Sequence, residues 1–179
     1  IPLEKWLPDN KLQQIAEENN LAETAFFIKS GINYDIRWFT PDQEVDLCGH
    51  ATLATAFVIF EHLNYKEKEI VFSSRSGDLK VVKDGDYLVM NFPSSSFKIA
   101  KLPDGLFEGL GVLPVELFKN QDFLMVLDSE KEVRGIKPDF SILKKVNTRG
   151  IIVTAKGNKV DFVSRFFAPN VGVNEDPVT

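Results

Sequence analysis

Residues 46–60 read Asp46-Leu-Cys48-Gly49-His50-Ala51-Thr52-Leu53-Ala54-Thr55-Ala56-Phe57-Val58-Ile59-Phe60. A carboxylate, a thiol, a glycine and an imidazole gather at the start, and from Ala51 to Phe60 no side is strongly polar. Leu53, Phe57 and Phe60 fall along one helical face, while Ala51, Ala54, Ala56, Val58 and Ile59 fill the rest. A helix that is apolar all round belongs in an interior. The run ends at Glu61-His62, well short of the roughly 20 residues a bilayer span takes. The pattern therefore predicts a helix wrapped by protein, with sheet around it and small Ala and Thr side chains allowing close approach. Its first turn has a chemical consequence. N–H groups without an intrahelical acceptor, at the positive end of the dipole, are a prepared place for an anion such as a carboxylate. Cys48, Gly49 and His50 stand at that end.

The totals set bounds. A chain of 179 residues makes one large domain or two small ones. Its 44% apolar and 26% charged residues are those of an ordinary soluble globular protein. A net charge of −5 with no basic run argues against a nucleic-acid partner. The single Cys excludes an intrachain disulfide and fits a reducing cytoplasm. No signal peptide, membrane-length apolar run or lipidation motif stands in the sequence, so no membrane partner is expected. Fifteen Phe predict strands with aromatic interiors. The first residue is not Met and the last falls in a predicted loop, so the chain reads as truncated at both ends.

From the start, Pro8-Asp9 opens a predicted helix with Asp9 as N-cap, a stripe of Leu12, Ile15 and Ala16, and a stop at Asn19-Asn20. Leu21 to Lys29 predicts a strand apolar on both faces, with Glu23 beside Leu21, Ala25 and Phe27. Desolvation favours the neutral form of a carboxyl group and suits it to proton transfer. The alternative is a strand-end carboxylate bent out to water, and spacing alone favours it. Tyr34 to Thr40 alternates as a half-buried strand, Pro41-Asp42-Gln43 turns toward the central helix, and strands follow at 70–73, 79–83 and 87–92. Asp84-Gly85 joins the last two as a hairpin. Phe92-Pro93-Ser94-Ser95-Ser96 marks an interdomain crossing. Beyond it, a short helix within 103–113, strands at 115–119 and 123–127, a helix from Pro138-Asp139, and a hairpin of 151–155 with 160–167 lead to a polar loop from Pro169. The second half repeats the style of the first without an obvious sequence repeat. If the halves are built alike, its own apolar helix follows Thr179.

Single polar residues carry competing readings. Cys48 and His50 lack metal-ligand spacing with Asp46 or His62, so no metal is expected. Cys48 is a nucleophile or carbon-acid base, or simply a buried thiol, the commoner case. His50 donates to a bound carboxylate or caps the chain locally. Asp176 before Pro177 is by default loop-forming, and Glu175 is read as solvated. Ser73-Ser-Arg75-Ser-Gly77 is basic and small but leads to a hairpin, which makes it a turn and not a phosphate loop.

Asn20-Leu-Ala-Glu23-Thr-Ala-Phe-Phe27, Arg37-Trp-Phe-Thr-Pro41, Asp46-Leu-Cys-Gly-His-Ala-Thr-Leu-Ala54, Arg165-Phe-Phe-Ala-Pro169 and Glu175-Asp-Pro-Val-Thr179 resemble, in order, the PhzF-type phenazine-biosynthesis isomerase family. The resemblance implies an α+β, diaminopimelate-epimerase-like fold of two similar domains, each a curled, mostly antiparallel sheet around a central helix, with the site in the cleft between them. Domains of residues 1–95, with the helix at about 50–62, and 96–179, lacking its helix, are expected. Glu23 falls on the family's proton-shuttling carboxylate, and His50 and Asp176 fall on residues that orient substrate and assist proton transfer. The Gly49 N–H, beside Cys48, helps to hold a carboxylate. The prototype moves a proton between ring carbons of a dihydro-hydroxyanthranilate without cofactor or metal, and members are often homodimers. The chain departs from the family at Ala22, where Ser is common, and ends before the family's Gly-Ser-Ala-His run. The expectation is a cofactor-independent isomerase of a small, carboxylate-bearing molecule, working through Glu23. The alternatives are an amino-acid racemase or epimerase, which uses two facing cysteines, and a non-catalytic metabolite binder.

Overall fold

A period-two alternation from Tyr34 to Trp38 fixes the centre of the first unit. In the computed structural model, which describes residues 1–92, 94 and 96–178, that segment is strand β3 (Asn33–Phe39), with Tyr34, Ile36 and Trp38 buried. The chain divides into two units, Ile1–Pro93 and Ser94–Thr179. Around β3 the first unit places β1 (Pro2–Leu3), α1 (Asp9–Asn19), β2 (Thr24–Ser30), β4 (Glu44–Val45), α2 (Gly49–His62), β5 (Glu69–Ser74), β6 (Gly77–Asp84) and β7 (Tyr87–Asn91). Its sheet runs β1-β2-β3-β5-β6-β7, with β4 pairing β3. The β1–β2 and β3–β5 pairs are parallel and the other pairs antiparallel.

The doubly apolar β2 faces two helices. Phe26 joins Phe39 of β3 and Leu12 and Ala16 of α1 in one cluster. Phe27, Ile36, Trp38, Ile70, Phe72 and Val81 turn the other way onto Ala51, Ala56, Ile59 and Phe60 of α2. Two expectations need correction here. The strand begins at Thr24 and not at Leu21, so Glu23 stands just ahead of it. The central helix is not covered all round, since Leu53 and Phe57 are 37% and 51% exposed. One sheet face covers one side of a helix, and the buried stripe is Ala51, Thr52, Thr55, Ala56, Ile59 and Phe60. Asp9 is the first residue of α1 and makes no cap, while Asn20 closes the helix in the left-handed conformation at φ 49°.

The second unit runs β8 (Lys98–Ile99), α3 (Leu106–Leu110), β9 (Glu116–Lys119), β10 (Phe123–Val126), α4 (Glu130–Gly135), α5 (Phe140–Leu143), β11 (Ile151–Lys156), β12 (Phe162–Ala168), a 3-10 turn (Pro169–Val171) and β13 (Val173–Asp176). Its sheet order is β13-β12-β11-β10-β9-β8, parallel only between β10 and β11. Leu106, Met125, Leu143, Val153 and Phe167 are at its core. The second central helix expected from the family is not among the described residues. The polar segment after Pro169, read as loop, closes into β13 against β12. Helix α4 was missed although Ser129 and Glu132 form a reciprocal capping box, a legible signature. Part of the serine-rich crossing (Pro93 and Ser95) and Thr179, the last residue of the family's final motif, lie outside the described residues.

A repeat that the sequence reading did not find ties the two units together in design. In Arg37-Trp-Phe39-Thr-Pro41 and Arg165-Phe-Phe167-Ala-Pro169, each Arg lies over the Phe two residues on, with its guanidinium carbon 5.2 and 4.9 Å from the ring centroid. Each also grips a Glu on the next strand with a two-pronged fork. Arg37 Nε and Nη2 donate to Glu44 at 2.7 and 2.7 Å, and Arg165 Nε and Nη2 donate to Glu175 at 2.7 and 2.9 Å. Glu175 is thus an ion-pair partner and not merely solvated.

Candidate active site

Glu23 owes its place to what precedes and follows it. The left-handed Asn20 ends α1, and Asn19 Nδ2 donates to the buried Thr24 hydroxyl at 3.2 Å. This pins the turn so that the next carboxylate meets the start of α2. There, Cys48 is the N-cap residue in extended conformation and its side chain makes no cap hydrogen bond. Its carbonyl accepts from Thr52 N at 3.2 Å and from the Thr52 hydroxyl at 2.6 Å. A buried Thr four residues along an apolar helix was the signal in the sequence for that support, and it went unread. Ser129 and Asp139 close the N-termini of α4 and α5 with their side chains, so the open start of α2 contrasts with them. As first residues of the helix, Gly49 and His50 present N–H groups with no acceptor inside it.

Glu23, Cys48 and His50 converge. Glu23 Oε2 lies 3.2 Å from His50 Nε2, with the two side chains 14% and 23% exposed. The contact is one of charge, since Oε2 is buried without a hydrogen-bond partner among the described residues. Cys48 Sγ lies 3.7 Å from His50 Nδ1 and 3.8 Å from Nε2. The neighbouring Cys48 sulfur and the Glu23 carboxylate push the imidazole up to about 10 from its usual 6.5, against an opposing pull from burial. Burial pushes the Cys48 thiol up, which keeps it neutral near pH 7.

The ligating atoms of these three residues lie within 4.8 Å of one another, a group that geometry allows to hold a metal ion. A metal ion held there would displace the protons of the imidazole and the thiol. A cavity of about 320 Å³ opens beside the cluster, lined by Glu23 and His50 and by apolar groups such as Leu21, Phe27, Ala54 and Val58. Gly49 is not required by crowding, since a Cβ there would meet only the Phe92 ring edge at 3.9 Å.

The structure thus brings Glu23, Cys48, Gly49 and His50 together in the first unit. Asp176 belongs to the second, at the end of β13, where its Oδ1 accepts from Val178 N at 2.9 Å. It lines a polar cavity of about 420 Å³ with Ser164, Arg165 and Glu175. No helix among the described residues is long and apolar enough to cross a membrane.

Comparison with known proteins agrees with this picture. The sequence profile of the phenazine biosynthesis-like (PhzC-PhzF) proteins matches residues 1–179. An uncharacterized isomerase of Pseudomonas aeruginosa is 52% identical over 178 residues, covering 99% of this chain and 69% of that protein. A solved PhzF-family phenazine biosynthesis protein of Enterococcus faecalis superposes with a TM-score of 0.88 at 48% identity, over 99% of this chain and 68% of the other. A predicted epimerase of P. aeruginosa shares the fold alone, at a TM-score of 0.63 and 16% identity, over 95% of this chain and 66% of the other. The architecture is accordingly the α+β, diaminopimelate-epimerase-like one. The chain belongs to the phenazine biosynthesis-like, PhzC-PhzF family.

Proposed function

We propose that the protein is an isomerase that moves a proton between carbons of a small carboxylate-bearing metabolite, with Glu23 as acid and base and without a cofactor. The observation that carries the reading is the Glu23–His50 contact at 3.2 Å beside the open N-terminus of α2. The N–H groups of Gly49 and His50 hold the substrate carboxylate, and the helix dipole adds to that hold. Glu23 takes a proton from a carbon, the electron pair shifts along the substrate, and the same carboxyl returns the proton to a second carbon. No proton is gained or lost overall. The imidazolium of His50 stabilises the carboxylate form between turnovers, and the family resemblance gives Asp176 an assisting role in proton transfer. Relatives of P. aeruginosa named as isomerases, at 52% and 48% identity, support the reaction class. The family resemblance supports a homodimer, which sedimentation at several concentrations tests.

A two-thiol epimerase fits less well. Four residues on from Glu44 is Cys48, whereas four on from Glu175 is Thr179, so the repeat offers a thiol in one half only. To test the reading, the protein is incubated in deuterated water with a panel of small amino and hydroxy carboxylates, and deuterium at carbon is followed by mass and NMR. Incorporation into a compound that also isomerises supports the proposal. Binding of a compound without any incorporation would instead leave a metabolite-binding protein.

A further inference from the structure

The turn Ser74-Arg75-Ser76-Gly77, which joins β5 to β6, serves no purpose in the mechanism above, yet it grips the segment that delivers the chain to α2. That segment alternates. Val45 and Leu47 pack inward against the core under α2, and Glu44 and Asp46, which alternate with them, face the turn. Arg75 Nη2 lies 2.6 Å from Glu44 Oε2, and its Nη1 lies 4.0 Å from Asp46 Oδ1. Ser76 Oγ donates to the Asp46 carbonyl at 2.8 Å. The turn is itself tied, since Ser74 Oγ donates to Gly77 O at 2.7 Å and accepts from Ser76 N at 3.2 Å. The residue at 77 is a glycine at φ +94°, where a side chain would be strained.

An exposed ion pair by itself contributes little, and Arg75 is 54% exposed. Its partner is different. Glu44 is only 12% exposed and already receives the Arg37 fork at 2.7 and 2.7 Å. One desolvated carboxylate thus joins two guanidinium groups, Arg37 of β3 and Arg75 of the β5–β6 turn. Four residues later the chain reaches Cys48 and the open helix start.

We propose that Arg75, with Ser76, is a positioning residue that clasps residues 44–46 and so sets the Gly49 and His50 amides for a carboxylate. This rests on the anion-site role given to those amides in the proposed function. Arg75 reaches Glu44 and Asp46 in the segment ahead of the helix, so its effect falls on binding and not on the proton-transfer step.

The test is an NMR titration of the full ¹⁵N-labelled chain with sodium acetate, following the Gly49 and His50 amides in wild type, Arg75→Ala and Arg75→Lys. The expected result is saturable shifts in wild type and a dissociation constant raised roughly three- to tenfold in Arg75→Ala, the scale of one charge contact at a helix end. Arg75→Lys recovers part of that loss. With a compound that exchanges deuterium, KM rises in Arg75→Ala while kcat stays within about twofold, the mark of lost uniform binding. Equal acetate affinity in all three proteins overturns the clasp and leaves the anion site standing. No acetate-dependent shift in wild type overturns both, while surviving deuterium exchange would still keep the carbon-acid chemistry.

Discussion

At the scale of single residues, the protonation of His50 decides how Glu23 works. With its imidazole held up to about 10 against an ordinary 6.5, the folded protein binds a proton more tightly than the unfolded chain. That contribution to stability is fully present below pH 6.5 and is lost as pH rises through about 10. The melting temperature is therefore expected to fall across that window, and to fall less steeply in Glu23→Gln. An NMR titration of the ring gives a sharper reading. Glu23→Gln and Cys48→Ala should each bring the His50 pKa down toward the ordinary range, because both neighbours hold it up. An unchanged His50 pKa in both variants would contradict this account of the cluster.

At the scale of elements, α2 is held by a stripe and not by a surrounding wall. Ile59 is fully buried at 0% exposure, and Ile59→Ala removes its packing against the sheet at a cost of about 2–5 kcal/mol, measured by denaturant unfolding. In the second unit, α3 shows backbone propensity losing to packing. Gly109→Ala would ordinarily stabilise a helix by about 1 kcal/mol. Here a Cβ would come within 2.4 Å of Leu143 Cδ2, and Leu143 is 0% exposed. Overpacking of that kind costs about 1–3 kcal/mol, so the substitution is expected to destabilise. A rise in stability would show that α5 yields easily.

At the scale of the whole molecule, the repeated Arg–Glu forks organise both units. Arg165 also donates to the carbonyls of Val133 and Ile136 at 3.1 and 2.9 Å, at the end of α4. Arg165→Met strips three acceptor groups of their donor and should cost about 2–4 kcal/mol by thermal or denaturant unfolding. The central helix and the hairpins were legible because apolar period and turn chemistry are local signals. The fork was not. Glu44 follows Arg37 by seven residues and Glu175 follows Arg165 by ten, a difference that hides the repeat until the strands pair. Glu23 and His50 could be named from the sequence only through family resemblance, because no spacing rule joins residues brought together by a strand and a helix 27 positions apart. Asp176 was likewise named by resemblance, and its strand reads as loop because Asn174, Glu175 and Asp176 leave this edge strand no apolar alternation.

The measurement that bears most directly on the central claim is deuterium incorporation at substrate carbon, compared between wild type and Glu23→Gln under identical conditions. Exchange in wild type that is lost in the variant, with binding of the compound retained, is the predicted result. Exchange that persists in Glu23→Gln would place the base elsewhere, with Cys48 next in line, and would contradict the account.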